Sequence, residues 1–400
     1  MLLFGLALRD IVLVSVSVLG YLYILTSYRS LTRSLKRLDE ARVYPRSLSL
    51  TVLAGQEASE VLEIYSPVML EIDLDVDYVQ VEPKTLLSGD NVVKLFYAPV
   101  IGGYKVIDKV PISVSVGLFS SKTSLSVYFE LHSIPRVYPV AARALATLAE
   151  MGTGTTGPQI TRLRGAGLEY AESRDYQPGD PLKFFDWKAY AKTLRPMVKD
   201  YYREGAGGTG VLFDNAADNP VSLDELNHAF LQLVTSLVEV EENIKIHLLN
   251  KREVYSLNRF NTLLLSIKLA LEGHVQEFRE YYSLIEPRAH RVAFFQQILQ
   301  EKIQATERGF TGEHSASIII SSLTGDPRII HETIEENNSQ DVFLLFPTKP
   351  WLWQTSLQKT NKVYNTCLKN LDRLQRQGIQ IHHTPEKILY RLQRTTGYAM

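Results

Sequence analysis

Residues 165–204 read GAGLEYAESRDYQPGDPLKFFDWKAYAKTLRPMVKDYYRE. Charges and aromatics interleave throughout, with Arg174, Tyr176, Asp180, Lys183, Asp186, Trp187, Lys188 and Lys192 close together. Gln177-Pro178-Gly179-Asp180 predicts a β-turn, because proline presets φ at the second position and glycine accepts positive φ at the third. Between Arg162 and Arg203 nine basic residues stand against six acidic ones. That excess raises the question of a nucleic-acid surface with stacking aromatics. The acids are interspersed with the bases, however, which favours ion pairing within one ordered loop. The stretch holds no His, Cys or Ser nucleophile with a base nearby, so it does not read as a catalytic centre.

This segment resembles the domain of unknown function 58 family, whose hallmark is EF-x-x-x-R-x-Y-x-x-GD-x-x-R-x-x-DW-x-x-x-A-R-T. The matching residues are Gly165, Gly167, Glu169, Tyr170, Arg174, Tyr176, Gly179, Asp180, Asp186, Trp187, Ala191 and Thr193, continued by Met197, Val198 and Lys199. Asp175 stands for a usual glutamate, Lys183 and Lys192 for arginines, and Tyr190 for a usual serine. The resemblance implies a von Willebrand factor A-like domain after the motif. It also implies a companion, a MoxR-type AAA+ ATPase, in protein assembly or maturation. Arg174, Tyr176, Gly179, Asp180, Lys183, Asp186, Trp187 and Lys192 are then the candidate interaction residues.

Downstream, periodicity independently supports an α/β domain over 208–400. GTGVLFDNA, NIKIHLLN, SASIIISS, DVFLLFP and GIQIHH predict short apolar strands. Residues 222–240, 288–308, 326–338 and 358–377 have helical spacing, with Ser222 and Asp326 as caps. Strands alternating with helices imply a largely parallel, doubly wound sheet with its ligand edge at the strand carboxyl ends. In A-type domains that edge holds a divalent cation through D-x-S-x-S. Here Asp214-Asn215-Ala216-Ala217-Asp218 keeps the first aspartate and replaces both serines, while Ser321-Ser322 stand where a later aspartate is expected. Asp214 and Asp218 are candidate ligands for a hard cation such as Mg²⁺ at this degenerate site, with waters completing the shell. Asp214 as a strand-end turn residue without a metal is the plainer alternative. His382 and His383 point to opposite faces of a strand and do not chelate together. Trp351 and Trp353 are expected to cover the sheet edge, and the mixed charges from Glu277 to Arg291 to form a solvated connection.

Upstream, residues 135–207 comprise an Ala/Leu-rich helix, the linker-like MGTGTTG at 151–157 and the signature segment. MGTGTTG lacks the G-K-[ST] ending of a phosphate loop. Residues 46–134 alternate apolar and polar residues with period two, broken by turn signals at Ala54-Gly55, Ser88-Gly89-Asp90 and Gly102-Gly103. They predict an antiparallel β-sandwich. Glu71, Asp73, Asp75 and Asp77 share that period and are expected to line one solvated strand face.

Ile11 to Tyr28, IVLVSVSVLGYLYILTSY, is eighteen residues without a charge, just long enough to span a bilayer. Tyr21, Tyr23 and Tyr28 cluster at its end, as an interfacial aromatic belt does. Residues 1–28 are therefore expected to be a transmembrane anchor and 29–45 a basic juxtamembrane linker, and MLLFGLAL at 1–8 is open to a second reading as the stub of another apolar segment. A buried core helix and a cleaved signal peptide are the competitors, and no A-x-A-like site favours the latter. Arg29, Arg33, Lys36, Arg37, Arg42 and Arg46 follow the span while Arg9 alone precedes it. The positive-inside rule then places the body in the cytoplasm as a single-pass cell-membrane protein. The single cysteine, Cys367, excludes an internal disulfide framework and agrees with a reducing compartment.

With 43 basic against 44 acidic residues among 400, the chain has no global field for wrapping nucleic acid. The expected architecture is a transmembrane helix, a β-sandwich and a doubly wound α/β domain. The expected function is non-enzymatic, a membrane-anchored cytosolic protein-binding scaffold or adaptor. The alternatives are a metal-dependent hydrolase using Asp214 or Asp180, and an outward-facing adhesion-type protein.

Overall fold

The computed structural model describes residues 11–152, 164–175, 185–202, 208–241, 243–285, 307–308, 316–325, 327–336 and 341–395. The chain divides into two units, Met1–Arg136 and Val137–Met400. Residues 1–10 with MLLFGLAL, most of the 151–157 linker, the Gln177–Asp180 turn and the Asp326 cap lie outside the described residues.

The first unit opens with helix α1, Ile11–Arg37, the one described helix long and apolar enough to cross a membrane. Four of its hydroxyls are satisfied within the helix. Ser15, Ser17, Thr26 and Thr32 each donate to the carbonyl four residues back, at 2.6–2.8 Å. The helix does not stop at Tyr28. It absorbs the first part of the expected basic linker, because residues 29–37 contain neither proline nor glycine and continue the turn. Ser27, Leu31 and Leu38 recur at helical spacing and are buried, with Leu35 packed beside them.

The strands that follow are β1 Arg42–Tyr44, β2 Ser47–Leu53, β3 Ala58–Ser66, β4 Leu70–Ile72, β5 Val79–Glu82, β6 Thr85–Leu86, β7 Gly89–Tyr97, β8 Gly103–Val116 and β9 Phe119–Ile134. They form two sheets, β1-β3-β7-β5 and β2-β9-β8-β4-β6. Inward positions such as Leu62, Ile64, Val93, Leu95, Ile112, Phe129 and Leu131 make the core. Pairing is antiparallel except between β2 and β9, which run parallel from Ser47 opposite Tyr128 to Leu53 opposite Ile134. The acidic run does not line a strand face. β4 ends at Ile72, and the later acids lie in irregular chain, where Asp73 pairs with Lys122 at 2.6 Å and Asp77 with Lys105 at 3.3 Å. Lys122 holds the Asp73 carboxyl below its usual range.

The second unit begins with α2, Val137–Gly152, whose apolar face buries Ala141, Ala144, Leu145 and Leu148. Next come β10 Arg164–Asp175, α3 Trp187–Thr193 and β11 Met197–Tyr202, with β10 and β11 paired as an antiparallel ribbon. The remaining strands are β12 Thr209–Phe213, β13 Ile244–Leu248, β14 Glu253–Ser256, β15 Glu307–Arg308, β16 Ala316–Ile320, β17 Asp341–Leu345 and β18 Gln380–His382. They form one sheet in the order β15-β14-β13-β12-β16-β17-β18. β12, β13, β16, β17 and β18 are mutually parallel, and at one edge β14 runs antiparallel to β13 and β15 antiparallel to β14.

Helices α4 Pro220–Val240, α5 Arg259–Ala270, α6 Val275–Ile285, α7 Pro327–Glu336, α8 Leu357–Arg376 and α9 Pro385–Thr395 complete the unit. Neighbouring residues on β12 show why both faces are covered. Phe213 stacks on Phe230 of α4 with ring centroids 4.0 Å apart. Leu212, pointing the other way, joins Cys367 and Leu374 of α8 in a separate cluster. Every residue of β12 and β16 is buried, as strands with two covered faces require.

Two expectations need correction. Up to Ile285 the charges from Glu277 onward do not mark a solvated connection, since α6 is amphipathic and buries Phe278 and Tyr282, while 286–291 lie outside the described residues. Tyr138 of α2 packs on Phe278, and its hydroxyl donates to Glu277 at 3.3 Å. The helix expected at 288–308 ends differently from its spacing, because Glu307 and Arg308 are strand β15 paired to Val254 and Glu253. Residues 288–306 lie outside the described residues.

Candidate functional site

The sheet's topology reverses at β12. The chain first steps to β13 on one side, and later returns through β16 on the other. In open α/β sheets the crevice outside the carboxyl ends of strands at such a reversal is the usual ligand position. Asp214 follows β12 and Ser321 follows β16, and the Asp214 N–H donates to the Ile320 carbonyl at 2.9 Å.

The Asp214 carboxylate is buried and engaged on both oxygens. Ser321 donates its hydroxyl to Oδ2 at 2.8 Å, and the Ala216 N–H donates to Oδ1 at 3.1 Å. Burial nevertheless pushes the carboxyl above its usual range, against the opposing effect of Ser321, Ala216 and the Asn250 amide. Asn250 also donates to Asn215 at 2.7 Å. Ser322 donates to the Ala216 carbonyl at 3.0 Å and shares a hydrogen bond with Thr324 at 2.7 Å. One turn further, Asn219 caps α4 by accepting from the Ser222 N–H at 2.8 Å, and Thr348 donates to the Ser222 hydroxyl at 2.8 Å. The crevice floor is a hydroxyl- and amide-rich network around one carboxylate.

A divalent cation is a poor fit to these residues. Hard cations want several free oxygens and more than one charged ligand. Asp214 offers no unengaged oxygen, and Asp218 is exposed on the loop beyond it. Among the described residues no group of three or more His, Cys, Asp or Glu side chains converges to hold a metal.

The signature segment supplies a second feature. Asp186 is buried and caps α3, accepting from the N–H groups of Lys188 and Ala189 at 3.1 and 3.0 Å. Its own N–H donates to the Met197 carbonyl at 2.8 Å, which fastens the helix start to β11. Two aromatic groups beside it, Trp187 and Tyr190, are exposed, and Phe185 is half-buried. Trp187 is 71% exposed and packs on Phe185 and Tyr190 at centroid distances of 4.5 and 6.4 Å. Leu194, 79% exposed, ends the helix at φ +54°.

Of the candidate interaction residues, Asp186, Trp187 and Lys192 share α3 and its cap, while Arg174 sits on β10 opposite Val198 of β11. Tyr176, Gly179, Asp180 and Lys183 lie outside the described residues. Phe185 and Leu194 went unassigned in the sequence, as did Asn250 and Thr324 in the crevice. The apolar pair had a signal in its adjacency to Trp187. The polar pair had none, since strand order alone brings those loops together.

No protein-family model matches the chain, and no curated protein matches it. Solved structures with some similarity include a PapD-like domain of human CEP192, 13% identical over 24% of this chain and 84% of that one, with a TM-score of 0.18. The C. elegans MSP family member WR4 is 12% identical over 24% of this chain and 97% of its own, with a TM-score of 0.17. The CsuC–CsuE chaperone–tip adhesion subunit complex of Acinetobacter baumannii is 8% identical over 33% and 71%, with a TM-score of 0.18. Scores this low fix neither fold nor function.

Proposed function

We propose that the protein is a membrane-anchored scaffold that docks another protein on the α/β unit beside the signature helix. The observation that carries this reading is the Phe185/Trp187/Tyr190 cluster. Exposed aromatics cost free energy in water, and here Trp187 and Tyr190 stand exposed on a helix fixed by the buried Asp186 cap, with the half-buried Phe185 packed against both. Rigid aromatic anchors of this kind supply most of the energy at protein interfaces.

The doubly wound sheet with an antiparallel edge at β14 supports a von Willebrand factor A-like assignment of this unit. The capped Asp214 favours a binding scaffold over metal-dependent adhesion or hydrolysis. The resemblance of residues 165–204 to the domain of unknown function 58 family names the partner, a MoxR-type AAA+ ATPase. α1 serves as the anchor, and the basic residues after Tyr28 put the body in the cytoplasm.

Co-purification of the full chain with a MoxR-type ATPase from the same cells tests the reading. Trp187→Ala is expected to keep the circular dichroism spectrum and lose most of the captured ATPase. Equal capture by a folded Trp187→Ala variant would remove the cluster from the interface.

A further inference from the structure

Helix α1 has no buried residue before Ser27, and from there on buries Ser27 and Leu31 on one face. Ile11, Val16, Leu19 and Tyr21 are all exposed, and Ser27 is its first buried residue. What covers Ser27 is the turn between β8 and β9. A Cβ at Gly117, which holds φ +59°, would meet Ser27 Oγ at 2.7 Å and the Tyr23 hydroxyl at 3.0 Å. Phe119, just past the turn, packs edge-on against Tyr28 with ring centroids 5.9 Å apart.

Tyr23 and Ser27 both lie inside the uncharged run Ile11–Tyr28. At the rise of an α-helix, Tyr23 stands about 9 Å to the apolar side of Arg29. The hairpin therefore reaches past the first charged residue of the helix, into the level of its aromatic belt. Its tip residue, Leu118, is 72% exposed. Glu71 opposes Ser113 and Leu70 opposes Leu86, so Met69 and Leu87 lie at this same end of the sheet. They too are exposed, at 58% and 65%.

We propose that this end of the sandwich, Leu118 with Met69 and Leu87, is immersed in the headgroup layer of the membrane that α1 crosses. The inference rests on the reading of α1 as a span. Three exposed apolar side chains, placed beside a helix of bilayer length below its first arginine, fit a lipid surface. They give the β unit a second attachment, which fixes its tilt on the membrane. Amphipathic interfacial anchoring of this sort needs only shallow burial of the apolar groups.

Depth-dependent fluorescence quenching of the full-length protein in mixed phosphatidylcholine–phosphatidylglycerol vesicles tests this. Single cysteines at Leu118→Cys, Leu19→Cys and Gln56→Cys would each carry an environment-sensitive dye. Cys367 does not compete, because burial and the charge of Asp218 push its thiol up to about 12. Gln56 follows the far end of β2 and lies about 50 Å along β9 from the tip, at the usual strand rise. The expected result is strong quenching at 118 by nitroxides near the headgroup, strong quenching at 19 by nitroxides near the chain ends, and none at 56. Quenching at 19 without quenching at 118 overturns the proposal and leaves the anchor standing. Quenching at neither site overturns the anchor and the proposal together.

Discussion

The hydroxyl of Ser321 donates to Oδ2 of Asp214 at 2.8 Å, across the point where the sheet order reverses. A carboxylate in that position is the natural start of a ligand site, yet here the neighbouring strand's own serine takes the oxygen. The bond ties β12 to β16 at their carboxyl ends. It makes Asp214 a strut within the crevice floor.

Removing the strut leaves donors without partners. Asp214→Ala orphans the Ser321 hydroxyl and the Ala216 N–H, both of which point at the lost carboxylate. A loss of about 1–3 kcal/mol is expected, the usual penalty for unsatisfied buried donors. Urea denaturation of the full chain in detergent measures it, and an unchanged midpoint would contradict the role.

Asp214→Asn separates the charge from the hydrogen bonds. Burial holds the folded carboxyl above the unfolded value of 3.8. The native state therefore keeps its proton longer than the unfolded state. As pH rises past 3.8 the unfolded chain ionises first, so wild type loses stability until the folded carboxyl also ionises. The asparagine variant has no such loss. Relative to wild type it should gain ground from acid to neutral pH, and a difference constant across that range would show that the folded carboxyl is not raised.

A metal reading makes an opposite prediction for the same residue. If Asp214 and Asp218 shared Mg²⁺, millimolar magnesium would raise the thermal midpoint by mass action, and Asp214→Ala would abolish the shift. With both Asp214 oxygens engaged, no magnesium-dependent shift is expected in wild type. Calorimetric heat that vanishes in the Ala variant would reinstate the cation.

Much of the α/β unit was legible because its strands are short runs dominated by apolar residues. VLF, IKIHL, SIII, VFLL and QIH all fall inside observed strands. The misread parts were those where tertiary packing overrides local pattern. Residues 275–285 look charged in series, but Phe278 and Tyr282 lie four apart and turn one helical stripe inward. The polar crevice was half legible. Asp214 was visible as a strand-end acid, whereas its pairing with Ser321, 107 positions away, follows only from strand order. The aromatic cluster shows the same division. Trp187 was visible as a motif residue, but its exposure depends on Asp186 turning the chain into a helix there.

Gly208 gives a further test, and it probes how the sheet starts. The glycine lies one residue before β12, where a Cβ would run into the Asn243 carbonyl oxygen just ahead of β13. That neighbour is backbone, held by the ladder that begins with Thr209 opposite Ile244. It cannot rotate away as a side chain can. Gly208→Ala should therefore force the two central strands apart at their first pair and cost about 1–3 kcal/mol, as overpacking does elsewhere. Gly273 provides the comparison, since it has open space around its Cβ position but holds φ +85°. Gly273→Ala should cost only the strain of a left-handed alanine, about 1 kcal/mol. Parallel denaturation curves of the two variants check the ranking. Equal losses would mean that the approach of Gly208 to Asn243 is looser than the structure shows.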